Sequence, residues 1–422
     1  MTPDGWSNSQ VRDLLCAIST GVSVNSESRA RVVGEVGVLK TSAVTYGVFR
    51  PEENKVVVAK DLHRVRENPK AGCVLLSRMN TLALVGASAY VERDWPDLVL
   101  PDRIWQLLPN LSLTDGRWLF HFLSAPDTRL VLSDLASGTS GSMKNLAQEK
   151  FLAMRLLLPP VGEQKKIAAI LSSIDDTIEA TQAVIDQLHV VKKAMMAELL
   201  TRGLPGRHTR FKQTEIGEVP DQWEVVRLGT VATVGNGSTP SKQRPDYWQN
   251  GSIPWLPTGK VNDRVIFHAD EFVTETALAE CPIRLLPKGT LLIAMIGQGR
   301  TRGKVAYLAL EATINQNFAY VRPSAQLASW FLFAYLDHKY EHLRSGGRGS
   351  NQDALNCQII KQYPVPLPDL DEQLEIAEAI RCVEERIEAE AVTASALANL
   401  KSALMSVLLT GEVRVKPDEA AA

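Results

Sequence analysis

The sequence predicts an α+β fold built as a tandem repeat, in which each of two mixed α/β domains is followed by one long helix. The first observation is a repeat without gaps: LPPVGEQKKIAAILSSID and the helix after it, ending at Thr201, align on LPDLDEQLEIAEAIRCVE and its helix, ending at Thr410. Glu163-Gln164 and Glu372-Gln373 take the same place in the two copies. The second observation is that strand-like runs and helical segments precede each copy. Together they predict the order domain, helix, domain, helix.

Both copies of the repeat have the pattern of long helices. Each begins just after prolines and carries acidic residues in its first turn, which suits a helix N-terminus. Apolar residues then recur in alternating steps of four and three, the heptad spacing of helices that pack on one another. Because both copies share this register, including a lysine at matching positions, we expect the two helices to pack together. The alternative is that each helix packs separately on its own domain. The predicted coiled-coil seam consists of Ile167, Leu171, Ile174, Ile178, Ile185, Leu188, Lys192, Met195, Leu199, Ile376, Ile380, Val383, Ile387, Leu397, Lys401, Leu404 and Leu408.

The chain divides into six predicted segments. They are a first domain over residues 1–157, a long helix over 158–204, a linker over 205–219, a second domain over 220–366, a second helix over 367–412 and a flexible tail over 413–422. In the second domain, residues 289–297 have the pattern of a buried strand and residues 329–343 that of an amphipathic helix. In the first domain, residues 72–78, 81–91 and 117–124 follow a similar order. Each domain opens on a Pro-Asp-x-Trp run, ending at Trp6 and Trp223, and closes on a glycine-rich turn.

The composition, 45% hydrophobic and 22% charged, is typical of a soluble globular protein. The longest apolar runs fall short of the roughly 20 residues that cross a bilayer, and the N-terminus lacks a signal-peptide pattern, so we expect a cytoplasmic protein without membrane contact. Five scattered cysteines and seven histidines predict neither a disulfide framework nor a metal site. The net charge of −2 divides into +2 for residues 1–157, 0 for 158–219, +3 for 220–366 and −7 for 367–422. The two domains are therefore mildly basic.

Three segments partly resemble catalytic motifs, but none of them matches. The glycine-rich run over residues 297–305 differs from a phosphate-binding loop in its glycine spacing, and it has Val305 where a metal-binding Ser or Thr is required. The string nearest to an amino-methyltransferase motif is Asn68-Pro69-Lys70, which does not match. Asp337-His338-Lys339 has no suitable upstream partner and lies on a predicted helix. We therefore expect no catalytic site in this chain.

Polar residues that suit DNA contact cluster in loops of both domains. Arg and Lys bind phosphates and guanine, and Asn and Gln bind adenine. For any single residue, an ordinary solvated charge or a turn amide explains its presence equally well. The prediction of DNA contact therefore depends on the clusters and not on individual residues. A domain charge of +2 or +3 implies modest affinity for each domain alone. The candidates are Arg64, Arg66, Arg78, Asn80, Lys144 and Asn145 in the first domain, and Thr239, Lys242, Arg244, Arg300, Arg302, Lys304, Asn315, Gln316, Asn317, Arg348, Asn351 and Gln352 in the second.

The sequence resembles the specificity subunits of type I restriction-modification systems. The resemblance rests on the duplicated proline-Glu-Gln-Ile-Ala helix start, on AGCVLLSRMNTLALVGASAYV and on PKGTLLIAMIGQGRTRGKVAYLALEATINQNFAYVRP. It implies two target-recognition domains, related by a pseudo-twofold repeat, each reading one half of a bipartite site in double-stranded DNA, and an antiparallel coiled coil that spaces them. It also implies partners: two modification subunits that methylate adenine with S-adenosylmethionine, and restriction subunits that use ATP and magnesium. No cofactor is expected in this chain.

Two other functions are left open by the sequence. One is an enzyme with an unrecognised active site, and the other is a coiled-coil scaffold unrelated to DNA. Duplication with unlike domains favours the specificity subunit, because it places two different readers on one frame. The opening WSNSQVRDLLCAIS departs from the tighter Trp-to-Leu-Gly run usual in the family, so the first strand is the least regular part of the match.

Overall fold

The computed structural model describes residues 3–45, 47–138, 143–297, 299–345 and 355–417. It divides into two compact units: unit 1 is Met1–Ala183 with Ala391–Ala422, and unit 2 is Val184–Glu390. Each long helix therefore contributes one part to unit 1 and one part to unit 2. The division differs from the six predicted segments, because the helices belong to the compact units rather than standing apart from them.

Unit 1 combines twelve short strands with three short helices and parts of both long helices in the described chain. Its strands are β1 Ser7–Gln10, β2 Leu15–Thr20, β3 Gly37–Leu39, β4 Asn54–Val56, β5 Val74–Ser77, β6 Met79–Asn80, β7 Ser88–Tyr90, β8 Leu98–Val99, β9 Ile104–Pro109, β10 Ala136–Ser137, β11 Lys144–Leu146 and β12 Arg155–Leu158. Its helices are α1 Gly116–Ser124, α2 Pro126–Leu135, α3 Gln148–Leu152 and the first part of α4 Val161–Arg202.

The main sheet of unit 1 is antiparallel, in the order β2-β9-β5-β7. Smaller sheets have the orders β4-β3-β8, β10-β11-β6 and β1-β12. Strand β5 reads VLLS and is buried throughout, which explains why its first three residues are all apolar. Its core includes Trp118 of α1 together with Leu171 of α4 and Leu408 of the second long helix. The helix pair thus completes the core of the domain.

Unit 2 has a related plan. Its strands are β13 Phe211–Thr214, β14 Gly217–Pro220, β15 Glu224–Arg227, β16 Ala232–Asn236, β17 Ile253–Leu256, β18 Val265–Ile266, β19 Glu271–Val273, β20 Leu291–Ala294, β21 Val305–Leu308, β22 Thr313–Ile314, β23 Phe318–Pro323 and β24 Pro364–Leu367. Its helices are α5 Leu228–Val231, α6 Glu275–Glu280, α7 Ser329–His338, α8 Tyr340–Ser345, α9 Cys357–Lys361 and the first part of α10 Leu370–Leu408.

The main sheet of unit 2 has the order β16-β23-β20-β21-β18. Its first four strands are antiparallel and match the order β2-β9-β5-β7 of unit 1, whereas β18 adds a parallel edge beside β21. The other sheets are β19-β17-β22, β13-β14 and β15-β24. The core contains Trp223, Phe331 and Leu200 of α4 with Ile376 of α10. Both units are therefore the same frame with different additions.

Within each unit the two long helices run antiparallel. In unit 1, Glu163 near the start of α4 binds Arg414 beyond the end of α10, and Asp175 further along α4 binds Lys401. In unit 2, Lys192 binds Glu384 at 2.5 Å. All the predicted seam side chains are buried or half-buried. The seam lysines take their carboxylate partners from the opposite helix, which is how a polar residue in a seam fixes its register.

The repeated Glu-Gln pair is buried at the start of each long helix. Glu163 accepts a hydrogen bond from the indole Nε1 of Trp6 at 2.9 Å, and Glu372 accepts the equivalent bond from Trp223 at 2.9 Å. The neighbouring amide, Gln164 in unit 1, donates to Pro159 O and Leu113 O. The sequence suggested only that acidic residues suit a helix N-terminus. Their side chains in fact tie each helix start to the first turn of its domain.

The predicted linker and tail have structure of their own. Strands β13 and β14 form a hairpin over residues 211–220, most of it within the predicted linker, and Arg207 forms a salt bridge with Asp369. The predicted flexible tail departs from expectation over residues 413–417, because Arg414 bonds Glu163 and Val415 N donates to Glu163. These segments close the antiparallel pair at the end where each helix begins.

Judged by length and composition alone, helix α10 could cross a membrane, because an 18-residue stretch of it has a mean hydropathy of 1.3. Polar residues interrupt this stretch, so it contains no unbroken apolar run of the roughly 20 residues that cross a bilayer. One helix of this kind is weak evidence for a membrane span, and 11% of the stretch is buried in the described structure. In unit 1 the end of α10 contributes Met405 and Leu408 to the core, and its Lys401 binds Asp175.

Candidate nucleic-acid interface

One end of the main sheet in unit 2 collects most of the predicted DNA-contact residues of that domain. Pairing of Ala294 with Phe318 and of Asn236 with Ala319 places the ends of β20 and β16 beside the start of β23. Pairing of Ile293 with Val305 brings the start of β21 to the same end. The loops over residues 237–242, 295–304 and 315–317 therefore adjoin one another. We call their described residues the second recognition edge.

Several polar side chains on the second recognition edge donate hydrogen bonds to uncharged acceptors. Thr239 Oγ1 donates to Gln316 Oε1 at 2.5 Å, joining two of the loops. Lys304 Nζ donates to Asn262 Oδ1 at 2.7 Å. Arg300 is exposed and Arg302 is half-buried. No acidic partner is bonded to Lys304 in the described chain, so its positive charge is available to a phosphate or a base.

The three residues of the Asn-Gln-Asn run at this edge have different environments. Asn315 is 7% exposed and exchanges hydrogen bonds with Thr258, and its Oδ1 also accepts from the backbone nitrogen of Asn317. Asn315 therefore holds the turn and does not face solvent, which corrects its assignment as a DNA contact. Gln316 is exposed, and Asn317 is half-buried.

Lys242 and Arg244 lie on the loop after β16 but have acidic partners. Lys242 Nζ is 2.5 Å from Glu271 and 3.5 Å from the centre of the Trp248 ring. Arg244 binds Asp246, and this hydrogen bond lowers the pKa of Asp246 and raises that of Arg244. Contact with a phosphate would have to compete with these carboxylates, so these two residues are weaker candidates than Arg300 and Lys304.

The predicted contacts Arg348, Asn351 and Gln352 lie outside the described residues. Their described neighbours reach the second recognition edge. Leu355 N donates to Met295 O at 3.0 Å, and Tyr340 of α8 donates to Arg300 O at 2.7 Å.

A corresponding end of the main sheet in unit 1 forms the first recognition edge. Ser77 at the end of β5 pairs with Ile104, and the following strand β6 pairs with β11, which sets Lys144 opposite Asn80. This pairing brings together four predicted contacts that are distant in sequence: Arg78, Asn80, Lys144 and Asn145. Asn145 is exposed.

The side chains of the first recognition edge have local bonds. Arg78 Nε donates to Asp102 O at 2.7 Å, and Lys144 Nζ donates to Gly138 O at 3.2 Å. The other two predicted contacts, Arg64 and Arg66, lie at the end of a short 3-10 helix and just after it. Arg64 forms a salt bridge with Asp61, and in the described chain no hydrogen bond ties either side chain to the first recognition edge.

Two glycines at the recognition edges were missed by the sequence analysis. Gly21 follows β2, and a Cβ atom there would lie 1.5 Å from Leu100 O. Gly237 follows β16, and its Cβ would lie 2.0 Å from Ile314 O. Each glycine lets the chain cross another backbone at the same point of the repeated frame. A glycine directly after the first strand of each sheet was the available signal.

Arg103 is a further exposed cation that the sequence analysis missed. It directly precedes β9, and its backbone oxygen accepts from Arg78 N, so it lies on the first recognition edge. The sequence feature that indicates this place for Arg103 is its position directly before the buried run IWQLL. Among the described residues no group of three or more His, Cys, Asp or Glu is placed to hold a metal ion.

Sequence comparison then decides the family. The family described as type I restriction modification DNA specificity domain matches residues 3–190 and again residues 220–397. The chain belongs to this family. The two matches contain the two recognition edges, so the predicted family, the tandem fold and the role of a DNA specificity subunit are confirmed.

Individual relatives agree along the length of the chain. The putative type I restriction enzyme MjaX specificity subunit of Methanocaldococcus jannaschii is 25% identical, over 98% of this chain and 95% of its own. The MjaVIII specificity subunit of the same organism is 29% identical, over 75% of each chain. The structure of a type I restriction-modification S subunit from M. genitalium has a TM-score of 0.62 at 13% identity, covering 97% of this chain and 99% of that one. This last likeness concerns the fold.

Proposed function

We propose that each recognition edge reads one half of a bipartite site in double-stranded DNA, and that the chain itself catalyses no reaction. The observation that carries this proposal is one frame bearing two unlike edges. Arg78, Asn80 and Lys144 stand on the first edge, and Arg300 and Lys304 stand on the second. Different side chains on matched loops read different bases.

Electrostatics favour recognition by both edges together. The two domains carry net charges of only +2 and +3, so few phosphates are neutralised by either one. When both bind the same DNA, the second contact becomes intramolecular, and the affinity exceeds that of either domain. Phosphate contacts of partner subunits would add to this.

The partners in this proposal are two modification subunits, which methylate adenine with S-adenosylmethionine, and restriction subunits, which use ATP and magnesium. Exposed apolar side chains on the long helices support docking of protein partners. They include Val190, which is 62% exposed, and Val392, which is 65% exposed. Isolated exposed apolar residues are ordinary, but Val184, Val190 and Val191 are all exposed within about two turns of α4, and a group of this kind is typical of an interface. We place the assembly in the cytoplasm.

The MjaX and MjaVIII relatives are named specificity subunits, which supports a chain without catalysis of its own. The competing function is an enzyme with an unrecognised active site. Purified chain is incubated alone with DNA and S-adenosylmethionine, and separately with DNA, ATP and magnesium. We expect neither methylation nor cleavage, and both activities are expected to be restored by partner subunits. Methyl transfer by the chain alone contradicts the proposal.

Assignment of one half-site to each edge is tested by mapping methylated sites in cells that express the chain with its modification subunit. Replacement of Arg300 and Lys304 by alanine should alter the preference in one half of the site. The matched variant, Arg78→Ala with Lys144→Ala, should alter the other half. If both variants change the same half, or if neither changes the map, the edges are not the readers.

A further inference from the structure

In each unit two neighbouring antiparallel strands of the main sheet are joined by a loop at the recognition edge. The first hairpin loop, residues 78–87, joins β5 to β7 and includes the short strand β6. The second hairpin loop, residues 295–304, joins β20 to β21. Each residue pair between β5 and β7 corresponds to a pair between β20 and β21 at an offset of 217, as Val74 corresponds to Leu291. The two loops are therefore equivalent in the repeat and have the same length.

The backbone of the two loops is held by the same hydrogen bonds. Gly86 N donates to Ser77 O at 2.7 Å, and Gly303 N donates to Ala294 O at 2.9 Å. Both glycines have a positive φ, of 76° and 83°. Two other backbone hydrogen bonds of the first loop recur in the second loop at the same offset. The two hairpin loops therefore share one backbone frame.

A helix side chain anchors the same carbonyl group in both loops. In unit 1, Arg129 of α2 donates through Nη2 to Ala83 O at 3.1 Å. In unit 2, Tyr340 of α8 donates through its hydroxyl to Arg300 O at 2.7 Å. Ala83 and Arg300 are equivalent by the offset of 217. Because the peptide unit is planar, an anchored carbonyl fixes the backbone beside it, and the two side chains leave this backbone at corresponding points.

The side chains on this common backbone differ in chemistry. The first hairpin loop reads RMNTLALVGA and the second reads MIGQGRTRGK, so one glycine is the single identity between them. Leu82 is 52% exposed and Ala83 is also exposed, which gives the first loop an apolar surface. Arg300 is exposed at the matching place, and it forms no salt bridge with the described residues. One loop therefore presents methyl groups where the other presents a guanidinium group.

Base edges in the major groove distinguish these two surfaces. Guanine presents two acceptors, O6 and N7, which the guanidinium group of arginine binds through two parallel hydrogen bonds. Thymine presents a C5 methyl group, which apolar side chains contact. Leu82 and Ala83 have no side-chain donor for guanine. A change of side chain on the shared frame should therefore change the preferred base.

We infer that positions 83 and 300 are matched specificity positions, at which Arg300 selects guanine in one half-site and Ala83, with its neighbour Leu82, selects thymine in the other. The inference rests on the proposed function, because it requires each recognition edge to read one half-site. It adds the base that each loop selects and gives a reading role to two apolar residues. Its basis is a position that is anchored in the same way in both units and carries side chains of different chemistry.

The test changes the two matched side chains in the full chain bound to its modification subunit. Competition binding compares DNA duplexes in which one base pair of one half-site is varied at a time. Arg300→Ala should lower the preference for guanine at one base pair of its half-site by about tenfold. Ala83→Arg should change the preferred base at one base pair of the other half-site from thymine to guanine, by a similar factor. Each variant should leave the preferences in the opposite half-site unchanged.

Two further variants separate base reading from a general effect of charge. Ala17→Arg is the matched control, because it adds the same charge to unit 1 at an exposed position of β2 outside the hairpin loop. It should leave the preferred base unchanged at every position. Ala83→Gln adds hydrogen-bonding groups without charge, and it should change the preference at the same base pair to adenine. Circular dichroism verifies that each variant is folded.

The outcomes distinguish this inference from the proposed function. If the unaltered complex shows no base preference in either half-site, the proposed function fails. If it prefers a bipartite site and Ala83→Arg and Arg300→Ala keep the same preferences, this inference alone is overturned. An equal loss of affinity for all sequences in Arg300→Ala would indicate a phosphate contact and would also overturn it. The same conclusion follows if folded Ala83→Arg binds no sequence in its half-site better than another.

Discussion

The two seam lysines make the same contact in the two units, but their removal should have different effects. Lys401 Nζ lies 2.6 Å and 2.8 Å from the two carboxylate oxygens of Asp175. Lys192 Nζ lies 2.5 Å from Glu384, which also binds Arg264 at 2.9 Å. We expect Lys401→Met to destabilise the helix pair of unit 1 more than Lys192→Met destabilises that of unit 2.

The difference arises because the two carboxylates keep different positively charged neighbours once the lysine is removed. Without Lys192, Glu384 keeps Arg264 as a partner. Without Lys401, the basic group that lies within 4.0 Å of Asp175 among the described residues is the His121 ring, at 3.9 Å. Burial, assisted by the charges of Lys401 and Arg117, lowers the pKa of His121 to about 3, so its ring is neutral near pH 7. Asp175 would therefore stay half-buried without a cation.

The expected loss of stability on breaking each ion pair lies between two known limits. Breaking a fully buried pair costs about 3–5 kcal/mol, and breaking an exposed pair costs about 0–1 kcal/mol. The side chains of Lys401 and Asp175 are 19% and 35% exposed, so the pair is intermediate. We expect a cost of about 2 kcal/mol for Lys401→Met, and about 1 kcal/mol for Lys192→Met because one cation remains.

Amide hydrogen exchange measures each end of the helix pair separately. The expected costs correspond to exchange about 30-fold faster around Asp175 in Lys401→Met and about fivefold faster around Glu384 in Lys192→Met. Lys193→Met, at an exposed position of α4, is the control and should leave both rates unchanged. Equal acceleration in the two variants, or a larger effect of Lys192→Met, would refute the reasoning.

Three further predictions concern the recognition edge, the backbone crossing and acid stability. Arg302→Ala should weaken binding to DNA through one half-site by about 1–3 kcal/mol, the value of one direct contact with a base, as measured with sites altered in either half. Gly237→Ala should lower the unfolding temperature, because its Cβ would lie 2.0 Å from a backbone oxygen, whereas Gly259→Ala meets no atom within 4 Å and serves as the control. Burial raises the pKa of Glu163, but hydrogen bonds from Arg414 and Trp6 outweigh it and the net pKa is lowered. That stabilisation is present above the ordinary carboxyl value and is lost as the pH falls through the lowered one. Arg414→Ala should therefore diminish it and move acid unfolding of unit 1, followed by circular dichroism, to higher pH.

Periodic patterns were the most informative part of the sequence. The repeat predicted both long helices, and the run over residues 117–124 lies within α1. The helix predicted over 329–343 is interrupted at Lys339, where α7 ends and α8 begins one residue later. The strand predicted over 81–91 is shortened to β7, because Thr81 begins a turn and Gly86 has a positive φ of 76°. Local backbone geometry, rather than apolar character, sets these boundaries.

The recognition edges could be predicted only in part. Clusters of Arg, Lys, Asn and Gln indicated loops that are distant in sequence, and antiparallel pairing brings most of those loops together at one end of each main sheet. Which side chain faces solvent depends on distant partners. Asn315 turns inward to Thr258, and Lys242 is held by Glu271. No spacing in the sequence encodes such pairs.

The two copies of the frame keep the residues that hold the domain and the helices together. Glu163 and Glu372 bind equivalent tryptophans. The seam lysine and its carboxylate also recur, since Asp175 and Glu384 occupy matching positions. The loops at the recognition edges carry different side chains on the same strand ends. Because frame contacts lie within each unit and away from these loops, the side chains of one recognition edge can change without altering the helix surface on which we propose that partner subunits dock.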